Sequence, residues 1–504
     1  MVTPLIEMAG ITKRFGQLLA NDHVNLNVYP GEIVGLLGEN GAGKTTLMNI
    51  LFGTYAADDG SIRVKGNPVR IRNSAEALAA GIGMVHQHFL LAPRLTVMEN
   101  LLVGMPGKGV GLDLPGARRR LEEIAGEFGL KLDPERQVSS LSVGEQQRLE
   151  IIKALFRGAK VLILDEPTAV LAPPDVDGLF SALRAIAARS LGIVFISHKL
   201  NEVRTITSRC VILRHGRVTG EITDPRNAST RTIAELMCGQ EIKPTIRPPM
   251  PKGKELLVLE RISTAGHVGT AIGDVSLAVR GGEILGLAGV SGNGQKALAD
   301  VISGMLRPIS GKMTIATRTV RDFTPAEVQG LGLGRVPEDR LASGLISSMS
   351  LAESMALPRI GQAPFSYGSL TSRKGMIDFA ERQIREFDIR CSGPHARTGT
   401  LSGGNLQKAL LARELAFDPK VVIVSQPTRG LDIAATRFVH EKFLSLRAAG
   451  RAVLVISEDL DELMTLSDRI AVIYEGRIAG VLTAEDVTVS KLGLLMNGAF
   501  EKAA

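Results

Sequence analysis

The sequence is poor in cysteine and in the larger aromatic residues. Its 504 residues include three cysteines, four tyrosines and no tryptophan. The cysteines lie far apart, at Cys210, Cys238 and Cys391, which excludes short metal-binding spacings and a dense disulfide framework. An odd number of unclustered cysteines is typical of a protein from a reducing cytoplasm.

Long hydrophobic runs are missing as well. No stretch approaches the roughly 18 apolar residues that a membrane-spanning helix needs. The N-terminal segment MVTPLIEMAGITKRF lacks the basic-then-apolar pattern of a signal peptide. The net charge of +7 comes from 59 basic and 52 acidic residues. Because the basic residues are dispersed and few aromatic residues are available for base stacking, we expect no nucleic-acid partner.

The sequence contains an internal repeat, in which the second half resembles the first. PGEIVGLLGENGAGK at 30–44 matches GGEILGLAGVSGNGQ at 281–295. Further along, the segment at 141–168 matches the segment at 401–428 without a gap. The prolines near the join block regular helix and sheet pairing, so they predict an exposed linker. The expected organisation is a domain at 1–240, a linker at 241–255 and a domain at 256–504.

Both halves alternate apolar runs such as VLILD with longer helical patterns. This alternation predicts α/β units around a mainly parallel sheet. The stretches at 90–140 and 340–400 read as mostly helical and predict a helical subdomain in each half. The expected fold is therefore two tandem α/β domains of the P-loop kind.

The segment GENGAGKT at 38–45 fits the pattern G-x-x-x-x-G-K-[ST] in full. It follows an apolar run and opens a helical pattern, the context in which such a loop surrounds phosphate oxygens with backbone N–H groups. The lysine adds a positive charge and the hydroxyl of Thr45 can ligate Mg²⁺. The predicted ATP-binding residues of this loop are Gly38, Glu39, Asn40, Gly41, Ala42, Gly43, Lys44, Thr45 and Thr46.

Polar residues that suit hydrolysis follow other apolar runs of the first half. Asp165 ends VLIL and is a candidate Mg²⁺ ligand, and the adjacent Glu166 is a candidate general base for water. Gln87 is a candidate for holding the metal or water, and His198 for hydrogen bonding to a γ-phosphate. Taken alone, Gln87 is an ordinary surface amide and His198 a structural histidine, so both assignments depend on their neighbours.

The segments LSVGE at 141–145 and LSGGN at 401–405 place serine and glycine at the start of a helical pattern. Such a start offers a hydroxyl, N–H groups and a helix dipole to an anion. The order of phosphate loop, Gln, signature, Asp-Glu strand and His resembles the ATP-binding subunit of ATP-binding cassette transporters. The resemblance covers nearly all of both halves.

In that family two cassettes pair head to tail, which implies two composite ATP sites. The first would join Lys44, Gln87, Asp165, Glu166 and His198 to the signature of the second half, Ser402, Gly403 and Gly404. The family also implies an aromatic residue on the adenine, for which Phe15 is the candidate. A core position at a strand end is an equally good interpretation of Phe15.

The second composite site would lack most of these groups. The repeat places Gln295 at the position of Lys44 and Lys296 at that of Thr45. It also aligns Glu338 with Gln87, Ser425 with Asp165, Gln426 with Glu166 and Glu458 with His198, and the signature of the first half carries Val143. We therefore expect one hydrolytic and one degenerate site, the latter either binding nucleotide weakly or only completing the interface.

A fused double cassette resembles importers of simple sugars and nucleosides, and MVHQHFLL, VPEDR and QPTRGLD favour the nucleoside branch. The resemblance implies an ATPase with ATP and Mg²⁺ as cofactors, peripheral on the cytoplasmic face of the inner membrane. It implies two membrane permease subunits and an extracytoplasmic solute-binding protein as partners. The alternative is a soluble double-cassette ATPase that acts on ribosomes or DNA, although the linker here is short and proline-rich.

Overall fold

The chain divides into two compact units. The first unit is Met1–Lys243 and the second unit is Pro244–Ala504. The boundary lies inside the proline-rich segment that separates the sequence repeats. The computed structural model describes residues 2–87, 89–105, 113–168, 171, 173–197, 199–239, 241, 247–265, 270–368, 370–496 and 498.

The first unit follows the chain through alternating strands and helices. Its strands are β1 Ile6–Phe15, β2 Leu18–Val28, β3 Ile33–Leu37, β4 Asp59–Val64, β5 Asn67–Val69, β6 Ile82–Val85, β7 Val161–Asp165, β8 Gly192–Ile196, β9 Arg209–Arg214 and β10 Arg217–Ile222. Its helices are α1 Lys44–Leu51, α2 Ser74–Ala79, α3 Val97–Leu102, α4 Leu114–Phe128, α5 Val143–Phe156, α6 Pro173–Ala188, α7 Leu200–Ile206 and α8 Thr230–Cys238.

A six-stranded sheet in the order β10-β9-β3-β8-β7-β6 forms the centre of the first unit. Its strands run parallel except for the β9–β10 pair. Because parallel strands end at the same edge of a sheet, the loops after β3, β6, β7 and β8 are brought together there. These are the loops that carry the predicted catalytic residues.

The core lies on both faces of this sheet. Leu162 and Leu164 of β7 pack in one buried cluster with side chains of α4 and α5. Val161 and Ile163 pack in another, with side chains of α1 and β1. Successive side chains of a strand point to opposite faces, so a strand buried on both sides reads as a continuous apolar run. This explains the run VLIL in the sequence.

The helical subdomain of the first unit is built on local signals. Thr96 caps α3 and forms a reciprocal capping box with Glu99. Asp113 caps α4, whose first turn contains a proline and whose C-cap, Gly129, has φ of 70°. The buried residues of α4 recur every three or four positions, so one face of the helix packs on the core.

The second unit repeats this plan. Its strands are β11 Glu255–Ser263, β12 Val275–Arg280, β13 Glu283–Ala288, β14 Ser310–Ile315, β15 Arg318–Thr319, β16 Leu333–Val336, β17 Ser366–Tyr367, β18 Leu370–Thr371, β19 Val421–Ser425, β20 Ala452–Ile456, β21 Arg469–Tyr474 and β22 Arg477–Thr483. Its helices are α9 Gln295–Ile302, α10 Pro325–Gly330, α11 Leu351–Ala356, α12 Arg373–Glu386, α13 Gly403–Leu415, α14 Ile433–Ala448, α15 Leu460–Leu466 and α16 Val489–Met496.

The central sheet of the second unit has the order β16-β19-β20-β13-β21-β22, which matches the first sheet strand for strand. Only its β21–β22 pair is antiparallel. The predicted α/β fold with a mainly parallel sheet core and helices in each half is confirmed.

The sequence did not predict an antiparallel sheet in each unit, ordered β2-β1-β4-β5 and β12-β11-β14-β15. A short hairpin of β17 and β18 also interrupts the stretch predicted to be mostly helical at 340–400. Among the described residues, the helices fall short of the length and apolar character needed to cross a bilayer.

Candidate functional site

The glycine-rich loop of the first unit connects the fully buried β3 to α1. Gly38 and Gly43 have φ of 147° and 102°, values that side-chain-bearing residues rarely adopt. A Cβ atom on Gly43 would lie 2.3 Å from the carbonyl oxygen of Ala20. The backbone of this loop therefore requires glycine, and it leads directly into the N-terminus of α1.

Lys44 is the first residue of α1 and its side chain turns back under the loop. Nζ donates hydrogen bonds to the carbonyl oxygens of Gly38, at 2.7 Å, and Glu39, at 2.9 Å. Only 9% of Lys44 is exposed. The ammonium group is thus held beneath the loop, where it adds positive charge beside the N-terminus of α1.

Asp165 ends β7 next to this loop and forms a hydrogen bond with the hydroxyl of Thr45. Burial and the adjacent Glu166 carboxylate raise the pKa of Asp165 to about 6, although Lys44 and the Thr45 hydrogen bond oppose that rise. A buried carboxylate beside a hydroxyl is a fitting pair of protein ligands for Mg²⁺, which usually takes its remaining ligands from phosphates and water. Among the described residues, no cluster of three or more His, Cys, Asp and Glu side chains could hold a metal alone.

Glu166 lies in the turn after β7 with a left-handed backbone, φ 48°. Its N–H donates to the carbonyl oxygen of Ile196 at 3.0 Å, which ties the turn to the end of β8. Gln87, in the loop after β6, donates from Nε2 to Oε2 of Glu166 at 2.9 Å. Two residues separated by 79 positions in sequence are thus brought together. The predicted His198 lies outside the described residues.

A polar connection that the sequence analysis missed links the same loops. The carboxylate of Glu202 on α7 accepts hydrogen bonds from Thr168, at 2.5 Å, and from Ser197, at 3.2 Å. Thr168 follows the turn of Glu166, whereas Ser197 immediately precedes position 198. The second unit repeats the connection with Glu462, Thr428 and Ser457. The signal was present, because the Thr, Ser and Glu recur at the repeat offset in both halves.

Phe15 lies at the end of β1 and 42% of it is exposed. Its ring meets the edge of Tyr55 at 5.4 Å between centroids, and Nζ of Lys13 lies 5.6 Å from the ring centre. The exposure argues against a core position and leaves the ring available for stacking.

The two signature helices begin differently. At the start of α5, Ser142 and Glu145 form a capping box, and the Ser142 N–H and Arg136 hold the pKa of Glu145 below its ordinary value. At the start of α13, no cap bond from the Ser402 side chain to a backbone N–H is present in the described structure, and its Oγ instead accepts from Asn405 at 2.9 Å. The N-terminus of α13 therefore carries no carboxylate of its own at this position, which favours an anion there.

Gly403 and Gly404 are only partly buried in the first turn of α13. A Cβ atom on Gly403 would meet Arg340 at 3.5 Å, an ordinary contact. Gly403 therefore keeps the surface of this helix start small, whereas a Cβ atom on Gly404 would lie only 3.3 Å from Cβ of Ala435, a tight contact.

The phosphate loop of the second unit keeps the backbone but not the charge. Gly294 has φ of 108°, and Gln295 donates to the carbonyl oxygen of Val290 at 3.0 Å. This bond repeats the contact of Lys44 with Glu39. The neutral amide can hold the loop in shape, but it gives no charge compensation to a phosphate.

In a comparison with known proteins, one and the same family model matches both units. The family model described as "ABC transporter" matches residues 21–169 and 272–429. The chain is 41% identical over 500 residues to the nucleoside import ATP-binding protein NupA of Lactococcus lactis subsp. cremoris, covering 98% of each chain. It is 40% identical to the glucose import ATP-binding protein TsgD13 of Haloferax volcanii, covering 99% of this chain and 97% of that one.

The chain is also similar to a solved structure, and at this low sequence identity the similarity concerns the fold alone. The complex of the archaeal ribosomal stalk protein aP1 with the archaeal ribosome recycling factor aABCE1 matches with a TM-score of 0.59 at 19% identity, over 94% of this chain and 90% of that one. The family matches in both units and the full-length identities show that this chain belongs to the ABC transporter family, as an ATP-binding subunit in which two cassettes are fused.

Proposed function

We propose that the first unit hydrolyses ATP to energise import of a nucleoside through a membrane permease. The observation that carries the proposal is the meeting of Lys44, Thr45, Asp165, Glu166 and Gln87 at one edge of one sheet. The second unit lacks the lysine and both acids on the same backbone, so hydrolysis is assigned to the first unit alone.

In the proposed reaction, water attacks the γ-phosphate in line, with Glu166 accepting the proton. Gln87 holds the Glu166 carboxylate by the hydrogen bond already present and releases or shares it when water is bound. Lys44 and the N–H groups of the glycine loop stabilise the phosphate charge, and Phe15 stacks on the adenine. His198 is proposed to hydrogen-bond the γ-phosphate.

Mg²⁺, when bound with ATP, would supply charge neutralisation at the β- and γ-phosphates. Asp165 and Thr45 would hold it, with Gln87 as a further ligand. The glycine-rich start of α13, with Ser402, Gly403 and Gly404, is proposed to complete the hydrolytic site. This last assignment follows the family's head-to-tail pairing and is tested below by substitution.

The partners proposed for the chain are two permease subunits and an extracytoplasmic solute-binding protein. The chain would sit peripherally on the cytoplasmic face of the membrane through the permease. ATP binding would favour one arrangement of the transporter and product release another, which is a population shift driven by differential affinity.

A nucleoside is proposed over a sugar because QPTRGLD, VPEDR and MVHQHFLL favour that branch and because NupA is a nucleoside import protein. The similar identity to a glucose import protein keeps a simple sugar as the second candidate. The ribosome-directed alternative is supported only by fold, since its likeness is at 19% identity.

Uptake measurements in cells with and without the gene test the proposal. Labelled nucleoside should enter in wild-type cells, be lost on deletion, and be competed by unlabelled nucleosides but not by ribose or glucose. Competition by the sugars instead would move the assignment to the sugar branch. Recovery of the tagged chain with ribosomes rather than with a membrane permease would contradict both transport assignments.

A further inference from the structure

The second unit has a cluster of charged and polar side chains at the edge where the first unit holds its proposed catalytic residues. The cluster joins the phosphate loop, the loop after β16, the turn after β19 and the loop after β20. Its members are Ser291, Glu338, Gln426, Arg429 and Glu458.

Arg429 and Glu338 connect two of these loops. The guanidinium of Arg429 forms an ion pair with the Glu338 carboxylate, across 91 residues of sequence. Arg340 donates to the carbonyl oxygen of Arg429 at 2.6 Å and to Oε1 of Gln407 at 2.7 Å. The Arg429 backbone is therefore anchored from the same side on which Glu338 lies.

Glu458, in the loop after β20, contacts both the turn after β19 and the phosphate loop. Its N–H donates to Oε1 of Gln426 at 3.2 Å, and its carboxylate accepts a hydrogen bond from Ser291 of the phosphate loop. Desolvation raises the pKa of Glu458, the Arg429 guanidinium opposes that rise, and the Glu338 carboxylate adds to it. An anion belonging to the chain itself is thus bound at the loop that would otherwise receive a phosphate.

The corresponding positions of the first unit carry different chemistry. By the sequence repeat, Glu338 stands where the first unit has Gln87, Arg429 where it has Ala169, and Glu458 where it has His198. Where the first unit has an amide and an imidazole suited to a bound phosphate, the second unit has two carboxylates, with the arginine close to both. The changes are coupled, because each new charge contacts or faces another.

We infer that Glu458 is an internal anion that holds the phosphate loop of the second unit and excludes the phosphates of ATP from it. The inference rests on the proposed function, in which this edge of the sheet is the nucleotide-binding edge. Arg429 pairs with Glu338 and lies near Glu458, and so keeps the two carboxylates together in the folded chain. A triphosphate that approached this loop would meet the Glu458 carboxylate, and like charges in close contact repel each other.

The inference goes beyond the loss of Lys44. If a missing lysine were the whole defect, restoring it at position 295 would restore binding. If Glu458 occupies the loop, restoring the lysine will not suffice while that carboxylate remains.

The test measures Mg-ATP binding to the purified full-length chain by isothermal titration calorimetry. Lys44→Ala silences the first unit, and Gln295→Lys is added to give the second unit its missing charge. This chain is compared with one that also carries Glu458→Gln. Glu441→Gln is the matched control, because Glu441 is an exposed carboxylate paired with Arg437 on α14.

We expect the Glu458→Gln chain to bind Mg-ATP about tenfold or more tightly than its parent, and the Glu441→Gln chain to bind like its parent. Glu458→Asp keeps the charge and should restore little. The inference is overturned if Gln295→Lys alone gives full binding, or if Glu458→Gln leaves the affinity unchanged in a chain whose thermal unfolding matches that of its parent. If the chain that carries Lys44→Ala as its single substitution binds ATP as tightly as the wild type does, that result would instead contradict the proposed function of the first unit.

Discussion

Glu166 in the first unit and Gln426 in the second occupy the same turn after a buried strand, with φ of 48° and 47°. Their N–H groups donate to Ile196 and Ile456, at 3.0 and 2.7 Å. The backbone of the hydrolytic edge is therefore kept in both units, including its left-handed residue. What differs is the chemistry placed on it, since only Glu166 can accept a proton at neutral pH.

The helices that follow the two signature segments, α5 and α13, differ in the opposite sense, because the start better suited to an anion lies in the second unit. The start of α5 is closed by its own carboxylate, Glu145, and presents an exposed Val143, whereas α13 starts with two glycines and a neutral Asn405. The first unit, to which the proposal assigns hydrolysis, has the poorer anion site at the start of its α5. This crossed distribution is what the proposal of one hydrolytic site requires.

Glu166→Gln should have the largest effect. Loss of a general base lowers turnover by about 10²- to 10⁴-fold. ATPase activity of the assembled transporter should fall by that factor, while Gln426→Glu should not raise it. Robust turnover after Glu166→Gln would remove the basis for assigning hydrolysis to the first unit.

Exchanging the signature residues should come next. Gly403→Val puts the side chain of Val143 on α13, where a Cβ atom has ordinary space. We expect turnover to drop by about 10²-fold, the usual scale for losing a preorganised contact to developing charge. Val143→Gly, its mirror substitution on α5, should change turnover less than twofold. Equal effects of the two would contradict the crossed distribution.

Glu202 and Glu462, whose carboxylates connect the loops of their units, allow a comparison in which the expected effect on turnover is smaller. Glu202→Gln weakens the hydrogen bonds from Thr168 and Ser197, and Glu462→Gln weakens those from Thr428 and Ser457 and the contact of Glu462 with His440. Each substitution should lower stability by about 1–3 kcal/mol. Only Glu202→Gln should also lower kcat, by about tenfold, with KM for ATP nearly unchanged. The kinetic measurement separates positioning from folding, because thermal unfolding alone would not distinguish the two variants.

The smallest effect concerns the stability of the ligand-free chain. Asp165 holds its proton more tightly when folded, with a pKa near 6, than when unfolded, with a pKa near 3.8. Its ionisation therefore costs stability, a cost that is absent below about pH 4 and complete above about pH 6. Asp165→Asn should remove the cost and stabilise the chain by about 1–3 kcal/mol at pH 7.

Thermal unfolding of both chains at pH 4 and pH 7 checks this prediction, with Ser425→Ala as the counterpart in the second unit. The gap between wild type and Asp165→Asn should be small at the lower pH and open at the higher one. A gap of the same size at both values would show that the effect comes from packing rather than from the charge.

The structure brings Lys44, Asp165 and Glu166 to one edge because parallel strands end together, a property that the sequence pattern carries. The recurrence of Thr168 and Glu202 in both halves was visible in the sequence, but the sequence did not show that these two side chains meet, nor that Arg429 pairs with Glu338. Those contacts join loops by side chains alone, and their formation depends on strand order and loop direction rather than on any local pattern. The antiparallel sheets escaped notice for a related reason, since β1 and β11 pair with strands on both sides, one of which is distant in sequence.

The turn at Gln426 has a practical meaning for protein engineering. A left-handed residue without glycine is among the harder features to build into a designed loop, and here it already stands in the second unit without its catalytic side chain. A chain with two working ATPase sites would then need new side chains on an existing frame, not a new frame. The second unit therefore keeps the backbone conformation of this turn while its side chains differ from those of the first unit.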